Sequence, residues 1–195
     1  MNRISIFIIT VLTLVSCDSR GGLDIATFQG EALGTTYSVQ YFSEGELDFT
    51  KSMDSIVDIV NGSMSTYQQD SDISLVNRGD SIVTVDEHFI KVFEASKKIY
   101  AESNGFFDPT VGVLVNAYGF GPGKVVTDLY AERLDSLNQL VGLNKVRINE
   151  DQTVSKENPN VYIDFNAIAK GYTIDLIGQY LEDNGVSDYL IELGG

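Results

Sequence analysis

The sequence predicts an α+β fold, a mixed sheet with helices packed on it, and three observations carry that reading. The composition, 43% hydrophobic and 10% aromatic over 195 residues, is that of a globular chain long enough to bury a core. Runs with helical periodicity are interspersed with short runs rich in Val, Ile, Thr and Tyr. A strand over Val161 to Phe165 leads straight into a long helix, with Asp164, Asn166 and Lys170 set at the junction.

In chain order, Thr35 to Tyr41 reads as a strand entered through the turn at Gly34. Met53, Ile56, Val57, Val60 and Met64 recur at three- and four-residue spacing after a possible Thr50 cap and predict a helix. A polar loop follows, with Tyr67 between hydroxyls and carboxylates. It either caps the core edge, the commoner role, or stacks on a planar ligand. Asp70 and Asp72 are expected to be solvated or to cap a short helix beginning near Ile73. Ser81 to Val85 reads as a strand, and Glu87 to Ser103 as a helix with Phe89, Val92, Phe93, Ile99 and Tyr100 inward, stopped by Asn104-Gly105. His88, the sole histidine, has no second His or Cys nearby and is expected on the surface of that helix.

The stretch from Gly105 to Gly123 gathers aromatics, glycines and two prolines around a short apolar run. It suits one wall of a flat apolar pocket, with Asp108 available to ring heteroatoms, or else a buried connection. No Gly-Lys-Ser/Thr follows its glycines, so a P-loop is not supported. Asp128 to Val141 predicts a helix, and Lys145 to Asn149 with Gln152 to Ser155 a hairpin around Glu150-Asp151.

At the junction, Asn166 is expected to cap a helix whose inward face holds Thr173, Ile174, Leu176, Ile177, Tyr180 and Leu181, with Gly178 on the outer face. One turn back, that inward face contains Ala167, Ala169 and Lys170. Lys170 then either points into a cavity or snorkels past the helix end. Unpaired amides at a helix start with an ammonium one turn in suit a phosphate. Asn184-Gly185 ends the helix, and Tyr189 to Leu193 is a further strand that stops on a glycine pair.

The first segment is read as a targeting signal: Arg3 precedes an apolar run, Ile4 to Leu14, too short to span a membrane. Leu14-Val15-Ser16-Cys17 resembles a bacterial lipobox, and Cys17 is the chain's single cysteine. The expected organisation is a lipoprotein signal peptide over 1–16, lipidation at Cys17, a tether over 17–26 and one domain over 27–195. A formal net charge of −15 argues against nucleic acid as partner, and an anionic ligand would need a local cation or a metal.

Six ordered segments together resemble the ApbE family of FAD:protein FMN transferases: Ala32-Leu33-Gly34-Thr35, Met64-Ser65-Thr66-Tyr67 with Asp70-Ser71, Phe107-Asp108-Pro109-Thr110-Val111-Gly112, Asn116-Ala117-Tyr118-Gly119-Phe120-Gly121, Asp164 to Gly171, and Glu192-Leu193-Gly194-Gly195. The resemblance implies an ApbE-like fold, FAD as substrate, magnesium on its diphosphate, and passage of FMN to a Thr or Ser hydroxyl of a target protein with release of AMP. It implies FAD contacts from Leu33, Tyr67, Phe106, Phe107, Asp108, Asp164 and Lys170, and a magnesium ligand in the Ala167 carbonyl. Leu33 stands where the family often has Met, and Val113 where it often has Pro. Family members continue beyond the Glu-Leu-Gly-Gly strand with further magnesium ligands. The chain is therefore expected to be the N-terminal portion of such an enzyme, binding FAD weakly and transferring little by itself. The alternatives are a metal-dependent FAD pyrophosphatase and a flavin-binding lipoprotein without chemistry. The expected location is the bacterial cell envelope, anchored by lipid to a membrane and facing the periplasm.

Overall fold

A computed structural model describes residues 24–43, 48–80 and 82–194. Strand β1 (Asp24–Ala32) pairs antiparallel with β2 (Thr35–Ser43), and the register closes on Ala32 opposite Thr35. Leu33 and Gly34 form the turn with φ of 51° and 75°, the double left-handed geometry that matches strand twist in a two-residue hairpin. A leucine in that region costs about 1–2 kcal/mol. It is held there by packing against both hydrophobic clusters. Helix α1 (Thr50–Met64) follows, then α2 (Asp72–Arg78), α3 (Glu87–Glu102), α4 (Gly112–Ala117) and α5 (Ala131–Asn138). The hairpin β3 (Val146–Ile148) and β4 (Val154–Lys156) precedes the long α6 (Asn166–Asp183), and β5 (Tyr189–Leu193) returns to pair antiparallel with β2. The main sheet has the order β1-β2-β5. The one parallel element among the described residues is the bridge between Val111 and Tyr162.

The alternation along β2 puts Tyr37, Val39 and Tyr41 inward, where they meet Phe49, Met53 and Val57 of the α1 side and Ile177 and Leu181 of α6. A second cluster gathers Val60 and Met64 from the other end of α1 with Phe89, Val92, Phe93, Ile163, Phe165 and Ala169. Helices α1 and α6 thus each serve both clusters and run past one another in opposite senses. Phe49 meets Tyr180 edge to face at 5.5 Å. The C-terminal end of α1 therefore lies beside the start of α6.

The structure corrects several expectations. Residues 161–165 are not a ladder strand, although they are buried except for half-buried Tyr162. Beyond the Val111–Tyr162 bridge and the Asp164 N–H bond to the Pro109 carbonyl, their backbone is held by a side chain: Asn77 of α2 donates to the Ile163 carbonyl and accepts from the Ile163 N–H, both at 2.8 Å. Lys156 Nζ adds bonds to the carbonyls of Val161 and Asn77 at 3.0 and 3.2 Å. Burial lowers the Lys156 pKa below its ordinary value. Residues 82–85 make one bridge, Thr84 with Thr153, rather than a strand, and Ser81 lies outside the described residues. Helix α5 is shorter than its apolar spacing implied and buries none of its residues. Strand β1 begins at Asp24, inside the stretch expected as tether. Ser71, not Asp70 or Asp72, caps α2, its Oγ accepting from the Ser74 N–H at 3.3 Å. Ile99 is 37% exposed on α3.

Asn77→Ala is expected to destabilise the fold by about 2 kcal/mol, because it strands the N–H and C=O of a buried residue. Urea denaturation measures this. A loss near zero would show that water replaces the amide.

Candidate functional site

Where α1 ends, α6 begins and the β1–β2 turn comes over them, a cleft of about 560 Å³ opens. Its walls are Leu33 and Gly34 from the turn, Asn61, Met64 and Ser65 from the end of α1, Tyr67 from the loop, and Asn166, Ala169 and Lys170 from the first turn of α6. Three of the predicted site residues, Leu33, Tyr67 and Lys170, come together here from positions far apart in the chain. Tyr67 is 63% exposed, so it is not the core-edge tyrosine that its type more often is.

Lys170 and Ala167 are both exposed, which corrects their placement on the buried face of α6; Ala169 between them is the buried residue. Gly178, expected outward, is buried because the Tyr189 ring covers it. Among the described residues Lys170 has no hydrogen bond or ion pair. By contrast, Lys91, Lys97 and Lys98 pair with glutamates of α3, and Lys145 and Lys156 bond to backbone carbonyls. An ammonium free of partners in an apolar-walled cleft is available to an anion.

Beyond Tyr67 lies a second chamber of about 360 Å³, which Tyr67 also lines. Thr66, Asn77, Arg78 and Tyr162 form much of its wall, with Pro122 and Gly123 across from them. The Thr66 hydroxyl is buried with no hydrogen-bond partner among the described residues. Burial raises the Tyr162 pKa, and the carboxylate of Asp164 adds to that.

Asp164 caps the junction in place of Asn166. One carboxylate oxygen accepts from the Asn166 N–H at 2.7 Å and the other from its side-chain amide at 3.2 Å, while the Asp164 N–H donates to the Pro109 carbonyl at 2.8 Å. Burial raises the Asp164 pKa and these two donors oppose the rise. A raised pKa means that the native state holds the proton more tightly than the unfolded chain does. The resulting stability is present below the ordinary aspartate pKa and is lost as pH rises through the native value.

The segment 109–112 packs against Asp164: a Cβ at Gly112 would lie 2.6 Å from the Tyr162 ring and 3.0 Å from the Asp164 Cβ. Phe106, Phe107 and Asp108, however, line neither chamber. Phe106 is 97% exposed, and one oxygen of Asp108 accepts from the N–H and hydroxyl of Thr110 at 2.8 and 2.6 Å. His88 is not a solvated surface residue. Its Nδ1 shares a 2.7 Å hydrogen bond with the Tyr172 hydroxyl, whose pKa is pushed up to about 12 by burial and then by Glu87, Asp86 and Asp175.

Magnesium prefers six oxygens in near-octahedral array. Among the described residues no three His, Cys, Asp or Glu side chains gather as a metal site. Both Asp164 oxygens are engaged by Asn166, and the start of α6 adds the neutral amide oxygen of Asn166 and backbone oxygens such as that of Ala167. The described residues by themselves therefore do not form a magnesium cage. Nor is any described helix long and apolar enough to cross a membrane. Cys17 and the lipobox lie outside the described residues.

Comparison with known proteins gives a consistent result. The chain is 32% identical over 196 residues to an FAD:protein FMN transferase of Haemophilus influenzae, covering 94% of this chain and 56% of that protein. An FAD:protein FMN transferase of Vibrio cholerae is also 32% identical, with 95% of this chain and 57% of the relative covered. The fold matches the solved flavin transferase ApbE of Vibrio cholerae with a TM-score of 0.79 at 30% identity, over 89% of this chain and 58% of that one. The apo flavinyl transferase ApbE of Pseudomonas stutzeri gives 0.80 at 28% identity, over 89% and 60%. The chain thus spans a little over half the length of these curated relatives. The ApbE family model itself aligns with residues 33–195, from the leucine of the hairpin turn through both chambers to the end of β5, and the chain belongs to that family.

Proposed function

We propose that these residues form the FAD-binding side of an FAD:protein FMN transferase. The observation that carries this reading is the unpaired Lys170 ammonium in a cleft shared with Leu33 and Tyr67. The diphosphate of FAD lies at Lys170 and the start of α6, and Tyr67 offers its exposed ring to a planar group. The acceptor Thr or Ser hydroxyl forms a bond to the FMN-side phosphorus as the phosphorus–oxygen bond to AMP breaks, and its proton leaves to water or to the departing phosphate. Lys170 opposes the charge on the diphosphate throughout. Asp164 holds the start of α6, while for Phe106, Phe107 and Asp108, which line neither chamber, contact with FAD rests on the family resemblance alone. Magnesium, which the family resemblance implies, belongs to this reading with Ala167 as a single ligand and the remaining oxygens from phosphate, water or residues beyond those described.

Incubation with FAD, magnesium and a threonine-containing acceptor peptide, followed by mass spectrometry, tests the reading. FMN-bearing peptide together with AMP, in small yield from these 195 residues alone, is the expected result. Free FMN with AMP would replace it with an FAD pyrophosphatase, and intact bound FAD with a flavin-binding lipoprotein. Tyr67→Ala is expected to weaken FAD binding by about 1 kcal/mol, the scale of an aromatic pair. Equal affinity in a folded variant would leave Tyr67 without a ligand role.

The same reading places the protein in the bacterial cell envelope, with 1–16 removed, Cys17 lipidated, residues 17–23 as tether ahead of β1 and the domain facing the periplasm. Cys17→Ser is expected to leave the precursor unprocessed or to shift the protein out of the membrane fraction. Unchanged processing and partitioning would remove the anchor.

A further inference from the structure

We propose that Gly194 is a positioning residue for Lys170, and that its missing side chain is what lets the ammonium stand at the mouth of the cleft. The inference rests on the reading of this cleft as a diphosphate site. Gly194 directly follows β5 and has φ of +72°, a conformation that favours glycine. Its N–H donates to the Thr36 carbonyl at 3.0 Å, so its backbone is tied to β2. A Cβ built on it would lie 2.7 Å from Lys170 Nζ, 3.5 Å from Lys170 Cε and 3.1 Å from the Thr35 methyl group.

These neighbours differ in how freely they can yield. Thr35 pairs with Ala32 at the closing rung of the β1–β2 hairpin, so its backbone is fixed. Lys170 Nζ is the end of a flexible side chain with no hydrogen bond or ion pair among the described residues, so it is the group that moves. A methyl at position 194 therefore displaces the ammonium before it moves Thr35, and the left-handed backbone adds a strain that the melting of each variant measures. Sequence spacing gives no hint of this contact, since Gly194 reads as a turn residue after a strand. It is the end of β5 that carries Gly194 over the first turn of α6.

The test is a double-mutant cycle on FAD binding, followed by fluorescence, with Gly194→Ala, Lys170→Ala and the pair. Gly194→Ala is expected to raise the FAD dissociation constant roughly tenfold, the scale of one misplaced charge-assisted hydrogen bond, when Lys170 is present. It is expected to add nothing once Lys170 is alanine. Gly194→Asn serves as the second variant, because asparagine bears a left-handed backbone better than alanine does. Thermal melting of each variant accompanies the titrations. An equal loss of affinity with and without Lys170, or no loss, overturns the proposal.

A readout without ligand separates this proposal from the functional reading. The rate at which Lys170 is acetylated by a trace of acetic anhydride, relative to exposed Lys51, is expected to change in Gly194→Ala. If that rate changes while FAD fails to bind the unaltered chain, the transferase reading fails and the positioning role stands. If FAD binds and neither acetylation nor affinity changes, the positioning role alone is overturned.

Discussion

Lys170→Ala is expected to weaken FAD binding by about 10- to 100-fold, the range of a hydrogen bond to a charged group, with transfer falling at least as far. The net charge of −15 makes the chain a poor host for an anionic dinucleotide, and the surrounding acidic field adds to the cost of bringing one in. Lys91, Lys97 and Lys98 are committed to glutamates and Lys145 and Lys156 to backbone carbonyls, and of the described lysines only Lys170 lines the cleft. Lys170 is exposed and makes no such bond, so its removal should leave stability within about 0.5 kcal/mol, as for surface substitutions in general. Fluorescence titration with FAD, with and without magnesium, measures the first effect and thermal melting the second. The loss should persist without metal and shrink as salt is added, since a partly exposed charge pair is screened. An affinity unchanged by the substitution would remove Lys170 from the site, and with it the main support for a diphosphate there.

Much of the architecture was legible because local pattern and tertiary burial agreed. The Thr, Tyr and Val content of 35–41 is realised as β2, and the three- and four-residue spacing of Met53, Ile56, Val57, Val60 and Met64 gave one face to the core, which the structure buries except for half-buried Ile56. Expectations failed where a distant residue decided the outcome. Val161 to Phe165 has strand composition, yet it makes only a single bridge, and Ile163 at its centre is paired by the side-chain amide of Asn77, 86 residues away, which no local pattern announces. His88 lacked a ligand partner in sequence and was assigned to solvent, but α6 brings the Tyr172 hydroxyl to it. Helix α5 shows the opposite case, an apolar spacing whose Leu134 and Leu137 are only half-buried. At the site, Leu33, Tyr67 and Lys170 were found through motif resemblance, while their convergence follows from α1 and α6 passing in opposite senses. Asn61, Thr66 and Asn77 gave no comparable signal. The clue for Asn77 was a polar residue beside buried Ile73 and Val76 on a short helix.

The largest stability effect is expected at Phe165, where core and site share a residue. Phe165 is fully buried and meets Phe89 edge to face, with centroids 5.1 Å apart. Its carbonyl accepts from the N–H groups of Ile168 and Ala169 at 2.9 and 2.8 Å, so the same residue seats the first turn of α6. Phe165→Ala leaves those backbone bonds available but empties the space behind them, and large-to-small changes of this kind cost about 3–5 kcal/mol. Against a typical domain stability of about 5–15 kcal/mol, that removes a large share. Phe165→Leu keeps most of the volume and is expected to lose less than about 2 kcal/mol. In Phe165→Leu, which remains folded, Lys170 and Asn166 keep their places and FAD affinity should fall only slightly. In Phe165→Ala the helix start loses its seat, so affinity should fall together with the denaturation midpoint. Urea midpoints and FAD titrations on both variants separate these effects. A loss under about 1 kcal/mol for Phe165→Ala would mean that the cluster collapses into the cavity. The seating of α6 would then rest on Asp164 and the Asn77 clamp instead of on the Phe89–Phe165 contact.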